Sequence, residues 1–122
     1  MARILIIEDD ERLRTTIREV LEHAAVYEVS DASDGEEGMR LYHEKPADLI
    51  ITDMLMPKKD GFDVIMNLKI DYPDLKVIAI SGGGRLDSKT YLEIAKGLGA
   101  DCYLDKPFKL DELLEAVRDV LK

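Results

Sequence analysis

Five short apolar runs punctuate the chain, and the stretches between them carry apolar residues at helical spacing. The runs are Ile4–Ile7, Tyr27–Ser30, Leu49–Thr52, Val77–Ile80 and Cys102–Leu104. Each is too short for a helix, and the unbroken ones, such as Ile4–Ile7 and Val77–Ile80, have the pattern of a strand buried on both faces. Between the first two runs, Leu13, Ile17, Val20, Leu21 and Ala24 fall on one helical face. Asp34-Gly35-Glu36-Glu37 opens a second helix with acid in its first turn, Met39 and Leu41-Tyr42 supply its buried side, and Pro46 ends it. A third helix follows Asp60-Gly61 through Phe62, Ile65, Met66 and Leu68 and stops at Tyr72-Pro73. Asp87 or Ser88 caps a fourth, with Tyr91, Leu92, Ile94, Ala95 and Leu98 as its apolar set and Gly97 and Gly99 at its close. Leu110, Leu113, Leu114, Val117, Val120 and Leu121 make the last helix amphipathic.

Strands that alternate with helices predict an α/β fold: a parallel sheet, right-handed crossovers and helices on both faces. For five βα units the economical arrangement is flavodoxin-like, a (βα)5 sheet in the order 2-1-3-4-5. Its switch point then lies between the first and third strands, where ligands bind beyond the carboxyl ends. Those two runs end in Glu8-Asp9-Asp10 and in Asp53, and the fifth ends in Asp105-Lys106-Pro107. Topology and charge therefore converge on one crevice.

Length and composition narrow the classes. At 122 residues, with 46% hydrophobic content, residues 1–122 read as one domain with a real core. The formal net charge of −9 disfavours nucleic acid as a direct partner, since that affinity comes largely from neutralising phosphates. A single cysteine, Cys102, excludes an internal disulfide and a cysteine-based zinc site. No apolar stretch approaches the ~20 residues of a membrane span, and Met1-Ala2-Arg3 leads almost directly into the first strand. A cytoplasmic protein without membrane contact is the expectation.

Three carboxylates in one crevice repel, and a hard divalent cation resolves that conflict. Mg²⁺ suits an all-oxygen set of Glu8, Asp9 and Asp53 that leaves room for water and phosphate. Asp53 stands alone at its strand end and is the candidate nucleophile for an aspartyl-phosphate. Lys106 supplies a point charge for the phosphoryl oxygens, and Ser81, at the end of the fourth strand, a hydroxyl donor. Gly82-Gly83-Gly84 matches neither dinucleotide nor Walker patterns and reads as a strand-to-helix loop. Asp10 and Asp105 read as a helix-start acid and a surface acid. The isomer of the Lys106–Pro107 bond is open at this level.

The ordered set Ile4–Asp10, Asp53-Met54-Leu55-Met56-Pro57 with Asp60-Gly61, Ser81, Tyr103 and Lys106-Pro107-Phe108 resembles the receiver domain of two-component response regulators over essentially the whole chain. It is similar to a chemotaxis-regulator-like single receiver, and on this resemblance it is expected to be either a stand-alone regulator or a receiver module excised from a longer one. The resemblance implies that Asp53 accepts a phosphoryl group from a histidine kinase or phosphotransfer protein in a Mg²⁺-dependent reaction. It implies that Asp9 and Asp53 hold the ion directly, Glu8 through water, and the backbone carbonyl of Leu55 as a further ligand. Ser81 and Lys106 would contact the phosphoryl oxygens. Tyr103 would change rotamer with Ser81 and reshape the face of the fourth helix, fifth strand and fifth helix, which signals to a downstream protein. On this reading the chain is not an enzyme beyond its own phosphoryl transfer and autodephosphorylation, and it is a monomer or weak dimer.

Two departures qualify the resemblance. Leu55 and Gly83 stand at positions that flank the path of hydrolytic water, and neither side chain can hydrogen-bond it, so a long-lived phosphoryl group is expected. The winged-helix transcription-factor branch carries Asp-Asp-Tyr at the fifth strand and an Arg on the last helix, where this chain has Cys102 and Ala116. Its salt-bridged dimer is not expected here. Competing readings are a Mg²⁺-dependent aspartyl-phosphate phosphohydrolase, disfavoured by the lack of a DxD motif after the first strand, and an unphosphorylated scaffold, disfavoured by the presence of every site residue.

Overall fold

In the computed structural model, residues 1–24, 26–56, 60–82 and 87–122 are described, with Ser88 by its backbone alone. The elements alternate strictly: β1 (Ala2–Ile7), α1 (Glu11–His23), β2 (Tyr27–Ala32), α2 (Gly35–Glu44), β3 (Leu49–Asp53), α3 (Gly61–Asp71), β4 (Lys76–Ser81), α4 (Ser88–Gly97), β5 (Cys102–Asp105) and α5 (Leu110–Val120). The five strands form one parallel sheet in the order β2-β1-β3-β4-β5.

Successive side chains of each central strand go to opposite faces, so a continuous apolar run feeds two cores. Leu5, Ile7, Ile50, Val77 and Ala79 pack with α2, α3 and α4 residues such as Tyr42, Ile65, Leu68 and Ala95. Ile4, Ile6, Leu49, Ile51, Ile78 and Ile80 pack with α1 and α5 through Ile17, Leu21, Leu113 and Val117. Each fully buried Val, Leu or Ile among them is worth about 1.5–3 kcal/mol over an exposed one. The sheet is thereby locked from both sides, and its central strands cannot slip.

Four helices start at an aspartate whose carboxylate accepts a backbone N–H of the first turn: Asp10 from Arg12 and Leu13, Asp34 from Glu37, Asp60 from Asp63, and Asp87 from Thr90. The choice between Asp87 and Ser88 thus falls on Asp87. Asp10 is confirmed as a helix-start acid. Gly97 is the last residue of α4 rather than its stop; Gly99, at φ 98°, makes the left-handed turn that ends the segment.

Parallel bonding extends past the strand ends on the site's side. Glu8 N donates to Ala32 O at 3.1 Å, Met54 N to Ile80 O at 2.9 Å, and Lys106 N to Ser81 O at 2.8 Å. These bonds carry the sheet's order one residue into the loops that hold the polar side chains. Close packing adds to it. A Cβ on Gly61 would meet the Asp53 carbonyl oxygen and come within 2.7 Å of Met54 Cα, so only glycine lets α3 start this close to β3.

Gly97 offers the contrast, with no atom within 4 Å of the Cβ it lacks. Gly97→Ala should stabilise the protein by about 0.5–1 kcal/mol through helix propensity. Gly61→Ala should cost about 1–3 kcal/mol through overpacking against backbone. Urea denaturation of both variants checks this ranking, and the reverse order would contradict it.

Candidate functional site

Among the described residues, the buried polar side chains Glu8, Asp53 and Ser81 sit where strands end, with Thr52 one residue before; Glu8 is 0% exposed, Asp53 4% and Ser81 0%. Glu8 follows β1, Asp53 ends β3, Ser81 ends β4, and Lys106 follows β5, so the switch point of the sheet gathers them as its topology requires. Glu8, Asp9 and Asp53 each present a carboxylate oxygen, all within 4.8 Å of one another. Asp9, unlike the other two, is exposed and opens the cluster to solvent.

Lys106 is the cation inside this cluster. Its Nζ donates to Asp53 Oδ2 at 3.0 Å. It also lies 2.8 Å from Glu8 Oε1, but off the direction of a hydrogen bond, so that oxygen has charge contact without a hydrogen-bond partner. The second oxygen of each acid is held by backbone: Asp10 N donates to Glu8 Oε2 at 3.0 Å and Leu55 N to Asp53 Oδ1 at 3.0 Å. Burial works against the Lys106 charge, yet Glu8 and Asp53 outweigh it and hold the ammonium above its ordinary pKa. The Lys106–Pro107 peptide bond is cis.

Glu8 shows the strain of this arrangement. Burial, which Lys106 and the Asp10 N–H only partly offset, raises its carboxyl from 4.5 to about 7, and the Asp53 charge adds to the rise. A carboxyl in that condition lacks positive charge, and all-oxygen donors select a hard cation. The residues present fit Mg²⁺ on both counts.

Ser81 and Tyr103 form the second half of the site. The Ser81 hydroxyl is buried and has no hydrogen-bond partner among the described residues. Tyr103 is half-buried against the α2–α4 core, with its hydroxyl fully buried and also without a partner. Burial, followed by the nearby Asp105 carboxylate, pushes its pKa up to about 12; Asp105 and Ser81 act on this hydroxyl without meeting hydrogen-bond geometry. Asp105 itself is exposed, as expected of a surface acid.

Other sequence expectations land with less effect or outside the described residues. Leu55 is half-buried in the loop after β3, its N–H on Asp53 as above. Pro57, Gly83 and Gly84 lie outside the described residues. Gly82 has a role the sequence did not disclose: a Cβ there would sit 2.7 Å from Lys106 Cβ, so the missing side chain lets the Lys106 segment lie close. Cys102 and Ala116 both pack against the α1–α5 core, and burial raises the thiol's pKa, which suits an inert residue. Arg14 was not singled out by the sequence, yet its Nη1 donates to the Glu8 carbonyl at 2.9 Å. Nothing in the local spacing around Arg14 points to that contact.

A five-stranded parallel sheet whose switch point holds three carboxylates and one lysine defines a class of phosphate-handling signalling domain. The chain belongs to the response regulator receiver family: the model of "Response regulator receiver domain" matches residues 4–118. Among its relatives, the "DNA-binding dual master transcriptional regulator RpaA" of Synechocystis is 38% identical over 124 residues, covering 100% of this chain and 50% of that protein. The "Transcriptional regulatory protein CpxR" of Escherichia coli K12 is 35% identical over 122 residues, with coverage of 100% and 50%. The chain thus spans about half the length of the curated relatives it matches. A response regulator receiver domain from Clostridium thermocellum superposes with a TM-score of 0.88 at 33% identity, covering 99% of this chain and 94% of that one. The Vibrio cholerae chemotaxis protein CheY4 does so with a TM-score of 0.85 at 28% identity, covering 99% of each. Domains of this family are signalling switches of phosphorelays that interact with histidine kinases or phosphotransfer proteins, and they bind Mg²⁺ through acidic residues. No described helix is long and apolar enough to cross a membrane.

The raised Glu8 pKa carries a sign that can be measured. Between about 4.5 and about 7 the folded protein holds a proton on Glu8 that the unfolded chain has lost, so stability falls as pH rises through that window. With a chelator present, Glu8→Gln should abolish this component, of order 1–3 kcal/mol. Thermal melts of both proteins from pH 5 to 8 check it: the variant should gain on the parent as pH rises, and a constant difference would refute the raised pKa.

Proposed function

We propose that residues 1–122 form a receiver module that works as a phosphorylation-activated switch, with Asp53 as phosphoacceptor. The observation that carries this reading is Asp53 itself: a nearly buried carboxylate at the end of the central strand, one oxygen fixed by Leu55 N–H and the other on Lys106. In the reaction, an Asp53 carboxylate oxygen forms a bond to phosphorus while the phosphorus–nitrogen bond of a phosphohistidine breaks. The electron pair of that bond stays on the departing imidazole. The donor is a sensor histidine kinase or a phosphotransfer protein, and a cytoplasmic setting follows from that donor.

Glu8, Asp9 and Asp53, with the Leu55 carbonyl, would hold Mg²⁺. The ion supplies positive charge to the phosphoryl oxygens, where most of the demand for catalysis lies. Lys106 is already 3.0 Å from Asp53 Oδ2 and passes its hydrogen bond to a phosphoryl oxygen when Asp53 becomes an acyl phosphate, a mixed anhydride. The partnerless Ser81 hydroxyl donates to another such oxygen, and a buried donor without a partner gains more than an exposed one by doing so. Tyr103, with its own buried and partnerless hydroxyl, follows Ser81 and alters the surface of α4, β5 and α5. The result is a population shift driven by new charge-assisted hydrogen bonds, read out by binding a downstream protein.

Incubation with Mg²⁺ and acetyl phosphate, followed by intact mass, tests this reading. One phosphoryl adduct is expected, and none in Asp53→Ala; an adduct that persists in the variant, or no adduct on the parent, would refute it. The Leu55 side chain cannot hydrogen-bond an attacking water, so the adduct should decay faster in Leu55→Asn, by roughly several-fold, consistent with a positioned polar group. Equal or slower decay in that variant would contradict the role given to Leu55.

A further inference from the structure

The loop bearing Glu8 and Asp9 is braced from behind by a chain of side chains. Arg14, on α1, donates from Nη1 to the Glu8 carbonyl oxygen at 2.9 Å. Its Nε lies 3.6 Å from Asp31 Oδ1, at the end of β2, and the other oxygen of Asp31 accepts from Arg18 Nη1 at 2.7 Å. Arg18 in turn pairs with Glu22 at 3.2 Å. The Arg14 and Asp31 side chains are only 17% and 25% exposed, so this contact is far better shielded than a surface ion pair.

We propose that Arg14, oriented by Asp31, is a positioning residue for the carboxylate cluster. The inference rests on reading that cluster as a Mg²⁺ site. The Glu8 carbonyl belongs to the peptide that joins Glu8 to Asp9, so Arg14 fixes the plane of the link between the two acids. The same residue's N–H is bonded to Ala32 O and its Oε2 to Asp10 N. With Arg14 in place, the backbone of Glu8 is tied on both sides, to β2 and to α1. Without it, the peptide can rotate and carry Asp9, the exposed member, away from Glu8 and Asp53.

Two effects of removing Arg14 have opposite signs, which makes the role testable. Its guanidinium is a positive charge behind a cation site, so electrostatics alone predicts that neutralising it tightens Mg²⁺ binding. Loss of positioning predicts weaker binding. Partners that orient metal ligands from outside the ligand set typically matter by 10-fold or more.

The Mg²⁺ dissociation constant is measured by titration calorimetry for the parent, Arg14→Met, Arg14→Lys and Asp31→Asn, with amide hydrogen exchange in chelator alongside. Arg14→Met should weaken binding roughly tenfold. Asp31→Asn should weaken it less, and Arg14→Lys should recover part of the loss, since an ammonium can reach the carbonyl but lacks the fork for Asp31. The Asp10 amide, bonded to Glu8 Oε2, should exchange faster in Arg14→Met while β3 and β4 amides keep their protection. Unchanged or tighter binding in a folded Arg14→Met overturns the proposal. If that variant loses protection throughout the sheet, Asp31→Asn decides alone, and an unchanged affinity there overturns it. A parent that binds no Mg²⁺ refutes the metal reading instead; positioning then stands or falls with exchange at Asp10.

Discussion

One ammonium among buried carboxylates is the constraint around which the rest of this molecule is arranged. Lys106 reaches both Glu8 and Asp53, and nothing else described in the crevice offers them a side-chain cation. Taking these acids out of water costs more than one lysine returns, which is why the Glu8 carboxyl rises to about 7. The apolar sheet beneath must supply the difference. Two cores, one on each face, hold the strand ends rigid enough that the charges cannot move apart to relieve their repulsion.

That mismatch is also what makes the site useful. A crevice whose charges were fully matched would have no affinity left for an incoming cation or phosphoryl group. Here the carboxylates lack positive charge, and among the described residues Ser81 and Tyr103 hold hydroxyls without partners and Glu8 Oε1 has an ion-pair contact but no hydrogen bond. Each deficit is a group that gains when the right ligand arrives. The same logic explains the brace behind the loop: groups that repel one another stay close only if the backbone between them is held.

Much of this was legible in the sequence, and the parts that were not share a cause. The strand cores were visible because fully buried parallel strands need unbroken apolar runs, as in Ile4–Ile7 and Leu49–Thr52. Their ends were not, because Asp31, Lys76 and Ser81 belong to strands through pairing with Ile6, Leu49 and Asp105 rather than through their own character. Glu8, Asp9, Asp53 and Lys106 could be found because a parallel sheet turns strand ends into neighbours. Arg14 and Gly82 act through distant backbone, a carbonyl six residues away and a loop across the sheet. Local periodicity carries no trace of such contacts. The transcriptional regulators RpaA and CpxR are 38% and 35% identical to this chain over about half of their length, and Cys102 and Ala116 pack against this chain's own core.

The spacing of the charged residues along the chain bears on how the protein comes into being. The hydrogen bond from Lys106 to Asp53 closes a separation of 53 residues, and every strand pairing that assembles the crevice is parallel and non-local. Pairings of that kind close long loops and form slowly. On a ribosome, β1 and β3 emerge well before β5, so the acids can meet before their lysine has been synthesised. During that interval the growing chain holds three carboxylates at the end of a half-built sheet with no counter-charge of its own. An ion from the surrounding cell water could occupy that place first, and the lysine would then arrive as the second cation of the site.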